Sequence, residues 1–466
     1  MNGNPRAKGL FVTDDGQNVA FTFILLCSLF LLWGVCNGMI DVMDKHFQEV
    51  LHLSKSQSAW VQFAHYLGYF LMSLPAGWLA IKLGYKGGII AGLLIVALGG
   101  FWFVPATHIA AFWAFLLGVC IIASGLTFLE TVCNPYTTVL GDKKFAATRI
   151  NLAQSCNGIG WICGPIIGSM YFYSKDAAGN STGSQTLYIP YVAVAFVVIV
   201  LAAIFYFASV PDIKTEDDYH LDDPTPVPGE AGTQSIWRHP HFVLGVVAQF
   251  LYVAAQAGIF SFFINYMTAE VPPIPARWSM AWTSAATHAG ILQDWLQGWF
   301  ETGPAGAIAM SSKGASNMAA LALVCFLVGR FTGAALLKKY SAHKILGIYG
   351  SLNVVMTLTV FFKLGWVSVI CVFLSYFFMS IMFPTIFALG IFGLGARAKK
   401  ASAFLVMAIM GGAILPKLMG LVADKFDMSR GFIVPMVCFV FVAFYGFRWP
   451  AFSKVESLDS VHVTGH

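Results

Sequence analysis

Charge is scarce in this sequence: Asp, Glu, Lys and Arg together make up 11% of its 466 residues, where an ordinary soluble domain carries about 25%. A chain so poor in charge cannot cover a water-facing surface, so a soluble globular protein is excluded. The net charge of +5 comes from 27 Lys and Arg against 22 Asp and Glu, and loop lysines and arginines account for it, with no basic stripe among them. A nucleic-acid partner is therefore not expected. Paired cysteines are also missing. Cys27, Cys36, Cys120, Cys133, Cys156, Cys163, Cys325, Cys371 and Cys438 all fall inside apolar stretches, which argues against disulfides and structural zinc. No Walker pattern cradles phosphate, HExxH does not occur, and no nucleophile elbow is read. An ATP-driven pump, a zinc protease and a serine hydrolase lose their support, and neither enzyme activity nor a cofactor is expected. The polar segment Met1 to Gln17 leads into an apolar run too long for a signal-peptide core, so no cleaved leader is read.

What the chain does have is apolar length. Hydrophobic residues make up 58% and aromatic residues 15%, with a mean hydropathy of +0.73. Spanning about 30 Å of hydrocarbon takes roughly 20 apolar residues per helix. Windows of that kind run near 18–46, 57–82, 87–105, 109–140, 146–174 and 187–210, then near 241–268, 316–339, 343–363, 365–393, 398–421 and 430–449. The expected fold is an all-α membrane protein of twelve transmembrane helices in two six-helix bundles. The bundles occupy 18–210 and 241–449, joined by a linker at 211–240 and flanked by tails at 1–17 and 450–466. In the linker, Glu216, Asp217, Asp218, Asp222 and Asp223 precede Pro224, Pro226 and Pro228, a composition that buries almost nothing.

Basic residues set the orientation. The even-numbered loops and the tails hold eighteen, from Arg6 to Lys454 and including Arg149 and Arg330, against nine in the odd-numbered loops. Both termini and the linker are therefore expected on the cytoplasmic side of the inner (plasma) membrane, with the lipid bilayer as the surrounding partner. An internal repeat supports the halving. Pro135 to Gly141 and Pro384 to Gly390 share a pattern 249 residues apart, Gly77 and Lys82 match Gly333 and Lys338 at 256, and Pro165 matches Pro416 at 251. Parallel repeats are the symmetry of carriers that rock around a midplane site. The first helices of the halves start only 223 residues apart, so the extra chain enters at 269–315, on the outer side. There Trp278 with Trp282, and Trp295 with Trp299, stand at i, i+4 spacing. A short helix at the headgroup level is one reading, and a lid over the entrance is the other.

From Ile109 to Gly141, Glu130 is the only charged residue. A carboxylate inside a bilayer costs about 2.5–3.5 kcal/mol on insertion scales, so it faces a wet cavity or a partner, and exchange of a proton there is its natural use. Near the outer end of the first helix stand Asp41 and Asp44. With Asp44 taken as the solvated member beside Lys45, Asp41 lies deeper, close to Asn37. The fifth helix carries Asn151, Gln154 and Asn157, and the seventh carries Gln249, Tyr252 and Gln256 on one stripe. Amides and hydroxyls that mix donors with acceptors suit a sugar's hydroxyls, and they also serve interhelical bonding. Trp33 and Trp161 offer apolar faces to a sugar ring. Gly160, Gly164 and Gly168 form a ridge for close helix packing.

Several runs resemble the fucose:proton symporter family of the major facilitator superfamily: Leu26 to Trp33, Gly125 to Pro135 with Leu129-Glu130-Thr131, Asn151 to Asn157, Ala248 to Gln256, Gly329 to Gly333 and Pro384 to Phe387. The resemblance implies the major facilitator fold and a carrier of L-fucose or a related hexose such as galactose or glucose. It implies coupling to protons, with Asp41 and Glu130 as the titrating pair and Gln154 and Asn157 lining the sugar cavity. Two departures bear on recognition. Where the fucose carrier has two adjacent asparagines on the first helix this chain has Asn37 and Gly38, and where it has tyrosine before Pro-Thr-Ile-Phe this chain has Phe383.

The expected function is monosaccharide:proton symport by alternating access, performed by a monomer. Sodium coupling and a sugar receptor that does not transport are the alternatives.

Overall fold

The computed structural model describes residue 11 and residues 18–140, 146–173, 183–208, 236–290, 293–302, 307–337, 340–392 and 398–453. Among these, the long helices are α1 (Ala20–Leu51), α2 (60–83), α3 (85–109), α4 (Phe112–Val139), α5 (Ala146–Tyr171) and α6 (Tyr188–Phe207). They continue with α7 (Pro240–Ser261, then Phe263–Ala269), α8 (Ser312–Leu337), α9 (Ala342–Phe361) and α10 (Trp366–Met379, then Met382–Ile391). Two remain: α11, made of Ala398–Met407, a 3-10 turn at Ala408–Met410 and Gly411–Lys425, and α12 (Ile433–Ser453). Helices satisfy every backbone group internally, which is what a hydrocarbon environment demands. Ten of these segments are long and apolar enough to cross a membrane; α2 and α5 are not among the ten. Both carry polar side chains in mid-helix, His65 and Gln62 on one, Gln154 and Asn157 on the other.

The breaks have local causes. Gly84 separates α2 from α3 at φ 69°, ψ 179°, a backbone conformation only glycine reaches cheaply. In α10 the break at Ser380–Ile381 lies four residues before Pro384, whose ring collides with the carbonyl of residue 380 and offers no N–H to it. Side chains supply what the break removes: Tyr252 Oη donates to Met379 O at 2.9 Å and Arg330 Nε to Ser380 O at a long 3.5 Å. The segment expected to be linker to 240 is already folded from 236. Ile236–Arg238 forms a 3-10 turn, Ile236 packs into a cluster with Phe242, Ala401 and Leu405, and Pro240 opens α7 in a position that suits it. Residues 211–235 lie outside the described residues.

The chain gathers into two compact units, one of Met1–Leu51 with Ala64–Asp218 and one of His52–Phe63 with Tyr219–His466. In the first, α1 lies against α5 along a seam of glycines. A Cβ on Gly38 would meet Trp161 O at 2.6 Å and one on Gly168 would meet Val42 Cγ2 at 2.7 Å, while Gly34 and Gly160 face each other's helix backbone. The ridge expected on α5 is thus a packing surface.

In the second unit, residues 54–60 are fastened to one stripe of α11. Ser54 and Gln57 form a reciprocal capping box at the start of the short helix Lys55–Ser58. The amides of Lys55 and Ser56, the next two free donors, reach the Asp424 carboxylate at 2.9 and 2.8 Å. Gly420 admits the Lys55 and Ser56 backbone, and Lys417 Nζ sits 3.8 Å over the Trp60 ring. Asp424→Ala is expected to cost about 1–2 kcal/mol of local stability and to speed hydrogen exchange at the Lys55 and Ser56 amides about tenfold or more. Unchanged protection there would show that Asp424 does not hold the segment.

A charged cluster closes the neighbouring loops. Lys363 Nζ lies 3.2 Å from Glu270 Oε2 and 3.1 Å from Asp427 Oδ2, while Glu270 accepts from the Met428 amide and Asp427 from the Arg430 amide. Partial burial disfavours the Asp427 charge, but the Arg430 amide and Lys363 outweigh it and hold the carboxyl below the ordinary carboxylate range. Slight burial likewise opposes the Lys363 charge, and Asp427 and Glu270 outweigh it and hold the ammonium above the ordinary lysine range. The depressed acid contributes stability above its unfolded value near 3.9 and loses it as pH falls through its folded value. The raised lysine contributes below about 10.4 and loses it as pH rises through its folded value. Lys363→Met should therefore lower the apparent thermal midpoint at pH 7, by about 1 kcal/mol or less for so exposed a pair. The gap from the parent should close on acidification to about pH 3; a gap that persists there would contradict the charge origin.

The described residues of the segment 269–315 form short elements. Ala276–Thr287 is helical and Phe300–Thr302 pairs antiparallel with Ile308–Met310, Phe300 opposite Met310. Trp278 and Trp282 share that helix, as their spacing suggested, but Trp295 and Trp299 do not share one. The turn Gln293–Leu296 ends before Gly298 (φ 75°), and Trp299 leads into the strand. The Trp282 and Trp299 rings lie 4.5 Å apart, tilted by 41°, and Asn317 Nδ2 of α8 donates to Trp295 O at 2.9 Å.

Candidate functional site

In the first unit, three helices bring polar groups to one place. Trp33 Nε1 on α1 donates to the hydroxyl oxygen of Tyr69 on α2 at 2.8 Å. The Asn37 side chain, one turn from Trp33, also hydrogen-bonds that hydroxyl, and Glu130 on α4 lies within its electrostatic reach. Tyr69 and Asn37 are each 8% exposed, whereas Trp33 and Glu130 are half-buried and retain access to space beyond the packed interior. Asn37 Oδ1 has no hydrogen-bond partner among the described residues. A buried carbonyl oxygen left this way costs about 1–3 kcal/mol unless something donates to it.

The two α1 acids are arranged differently from the expectation. Asp44, read as the solvated member, is fully buried, while Asp41 is half-buried. The reason is length. α1 continues to Leu51, more than a turn beyond the expected end at 46, so Asp44 lies inside it beside the end of α5, where His46 Nδ1–H meets Phe172 O at 2.8 Å and Tyr173 Oη donates to Val42 O at 2.8 Å.

On α5, Asn157 is buried and its amide donates to Phe30 O of α1 at 3.2 Å. That is the interhelical use of an amide. Gln154, one turn earlier, is half-buried; the side chain of Asn151 lies outside what is described. Gly38 lines no cavity, because its α-carbon is pressed against the backbone of α5.

In the second unit, the α7 stripe divides by role. Gln249 is fully buried with neither amide atom partnered among the described residues. Tyr252 is buried and supports the α10 break with its hydroxyl, its ring 6.4 Å from that of Phe383. Gln256 and Phe383 are half-buried. Two cations expected in loops are inside helices. Arg149 is fully buried with Nε bonded to Thr137 O at 3.0 Å, and Arg330 sits on α8 with its guanidinium over the Phe326 ring.

Sequence reasoning passed over α2. Gln62, His65, Tyr66 and Tyr69 stand at i, i+3, i+4 and i+7, one helical face that was available to a search for polar stripes.

Comparison with known proteins places the chain in context. The model of the Major Facilitator Superfamily matches residues 21–292. The L-fucose-proton symporter of Escherichia coli is 33% identical over 448 residues, covering 92% of this chain and 93% of that protein. A glucose/galactose transporter of Brucella abortus is 32% identical over 436 residues, covering 93% and 95%. The solved structure of the E. coli fucose:proton symporter superposes with a TM-score of 0.63 at 32% identity, covering 92% of this chain and 98% of that one.

Proposed function

The chain belongs to the major facilitator superfamily, in the group that holds the fucose:proton symporters and the glucose/galactose transporters, and from that premise we propose that it carries a monosaccharide and a proton together across the membrane by alternating access. It is a membrane transporter, not an enzyme. The observation that carries the finer reading is the junction of Trp33, Asn37, Tyr69 and Glu130. It sets an aromatic face and an unpartnered amide oxygen, which suit a sugar, beside a carboxylate in an apolar bundle, which suits a proton. Glu130 takes up and releases the proton, and Asp41, half-buried on α1, is the second acid. Gln249, with both amide atoms unpartnered among the described residues, and Gln256 are further residues for the sugar. Gln154 contributes from α5.

The substrate is L-fucose or a related hexose such as galactose or glucose, as the relatives' names divide. The chain works as a monomer in the plasma membrane, with both termini in the cytoplasm. Two measurements test this reading. A binding screen of the purified protein over L-fucose, galactose, glucose and arabinose should find one sugar at least tenfold tighter than the weakest. Adding that sugar to energy-depleted cells in sodium-free buffer should alkalinise the medium. Binding of none of these sugars would remove the substrate class, and uptake that needs sodium and leaves the medium's pH unchanged would remove the proton.

A further inference from the structure

We propose that Tyr69 is the positioning residue of the sugar site, and that α2 thereby joins α1 and α4 in building it. Its single hydroxyl does three things at once. The oxygen accepts from Trp33 Nε1 at 2.8 Å and from the Asn37 amide, which fixes the tryptophan face and points Asn37. A hydroxyl oxygen has two lone pairs, so two donors saturate it as an acceptor. Its own proton is then left to be donated, and Glu130 is the carboxylate within its field. Orientation of the sugar-facing pair and the environment of the acid therefore pass through one oxygen.

The surroundings point to a ligand of alternating donors and acceptors. His65, one turn before Tyr69, is 5% exposed, its ring 5.0 Å from the Tyr69 ring and 5.0 Å from that of Tyr66. Its Nδ1 has no hydrogen-bond partner among the described residues, and neither has Asn37 Oδ1. Two buried, unpartnered polar atoms therefore flank the same tyrosine. Buried polar groups are rarely left so, and the hydroxyls of a monosaccharide are the groups that match them. His65 and Tyr69 in this way extend the hydroxyl-binding surface onto α2.

This inference rests on the reading that the chain binds a monosaccharide, and the test separates the two. Sugar dissociation constants are measured by calorimetry on the full chain in nanodiscs for the parent, Tyr69→Phe, Trp33→Phe and the double variant. Phenylalanine keeps the ring and its contact with His65 and removes only the hydroxyl. Tyr69→Phe is expected to weaken binding about ten- to a hundredfold, since Trp33 and Asn37 both lose their acceptor. The double variant should be weaker than Trp33→Phe alone by about threefold or less, because the two residues act through one bond. The readout is the coupling between the two substitutions in sugar affinity, because a merely structural role would lower the unliganded thermal midpoint without producing it. Parent-like affinity in Tyr69→Phe, or fully multiplicative losses in the double variant, would overturn the inference while leaving the sugar reading intact. A parent that binds none of the screened sugars would instead remove the sugar reading. Should Tyr69→Phe fail to fold, His65→Phe serves in its place: it keeps a ring against Tyr69 and removes Nδ1, and is expected to weaken binding about three- to tenfold, parent-like affinity overturning the α2 contribution.

Discussion

Glu130→Gln is expected to abolish uphill sugar accumulation, bringing the inside-to-outside ratio in energised vesicles to about one, while sugar exchange between equal concentrations stays within about twofold of the parent. Glutamine has the size of glutamic acid and keeps a side-chain oxygen that can accept a hydrogen bond, so the sugar face of the site is preserved. What it cannot do is change charge. In an apolar bundle the carboxylate is cheaper neutral than ionised, so protonation shifts the balance between states, and a side chain fixed as neutral removes that lever. Each tenfold of accumulation represents about 1.4 kcal/mol drawn from the proton gradient, and none of it is available once the acid is gone. Paired measurements of steady-state accumulation and of counterflow check both halves of the expectation. A Glu130→Gln protein that concentrates sugar like its parent would remove Glu130 from proton coupling. Asp41→Asn, run alongside, asks whether the half-buried acid on α1 shares the task.

The features legible in the sequence were those that depend on a single element. Apolar run length gave the helices to within a few residues, because a span needs a fixed number of apolar residues whatever packs against it. Glu130 stood out because a lone acid in an apolar stretch is conspicuous without knowledge of its neighbours. The relation between Asp41 and Asp44 is not legible in the sequence, because it depends on how the last turns of α1 pack against Phe172 and Tyr173, about 130 residues further on. Tyr69 was passed over because aromatic residues in an apolar helix read as packing. Its distinction is a bond to Trp33 that no local pattern displays. Tyr252 shows the converse. Its stripe with Gln249 and Gln256 is real in sequence, yet its hydroxyl is taken by the carbonyl that the Pro384 break releases. The partner of a polar atom is a property of the fold, and here it decides which groups are left for a ligand.

Gly38→Asn separates the two meanings that position 38 can have. Read from the resemblance alone, the substitution restores an amide next to Asn37 and should alter which sugar is preferred. Read from the packing, it should prevent the first unit from assembling. A Cβ at 38 would stand 2.6 Å from Trp161 O, 3.1 Å from Gly164 Cα and 3.3 Å from Pro165 Cδ. None of these is the far end of a flexible side chain that can swing aside. Two are backbone atoms and the third belongs to a proline ring, so relief requires α5 to move as a body. That movement is opposed along the whole seam, where Gly34, Gly160 and Gly168 lie equally close to the facing helix. Overpacking a core by a methylene or two costs about 1–3 kcal/mol when side chains can adjust. With backbone on the other side and an amide to desolvate as well, the cost should exceed about 4 kcal/mol, the range in which single substitutions unfold a protein. The expected result is a more than tenfold loss of folded protein in the membrane and no uptake of any sugar. Gly38→Ala, which adds the Cβ without the amide, should show most of the same loss. Both are read by size-exclusion yield and apparent thermal midpoint. A Gly38→Asn protein that folds with the parent's midpoint and changes its sugar preference would mean that α1 and α5 stand further apart than 2.6 Å allows, and that this residue faces the cavity after all.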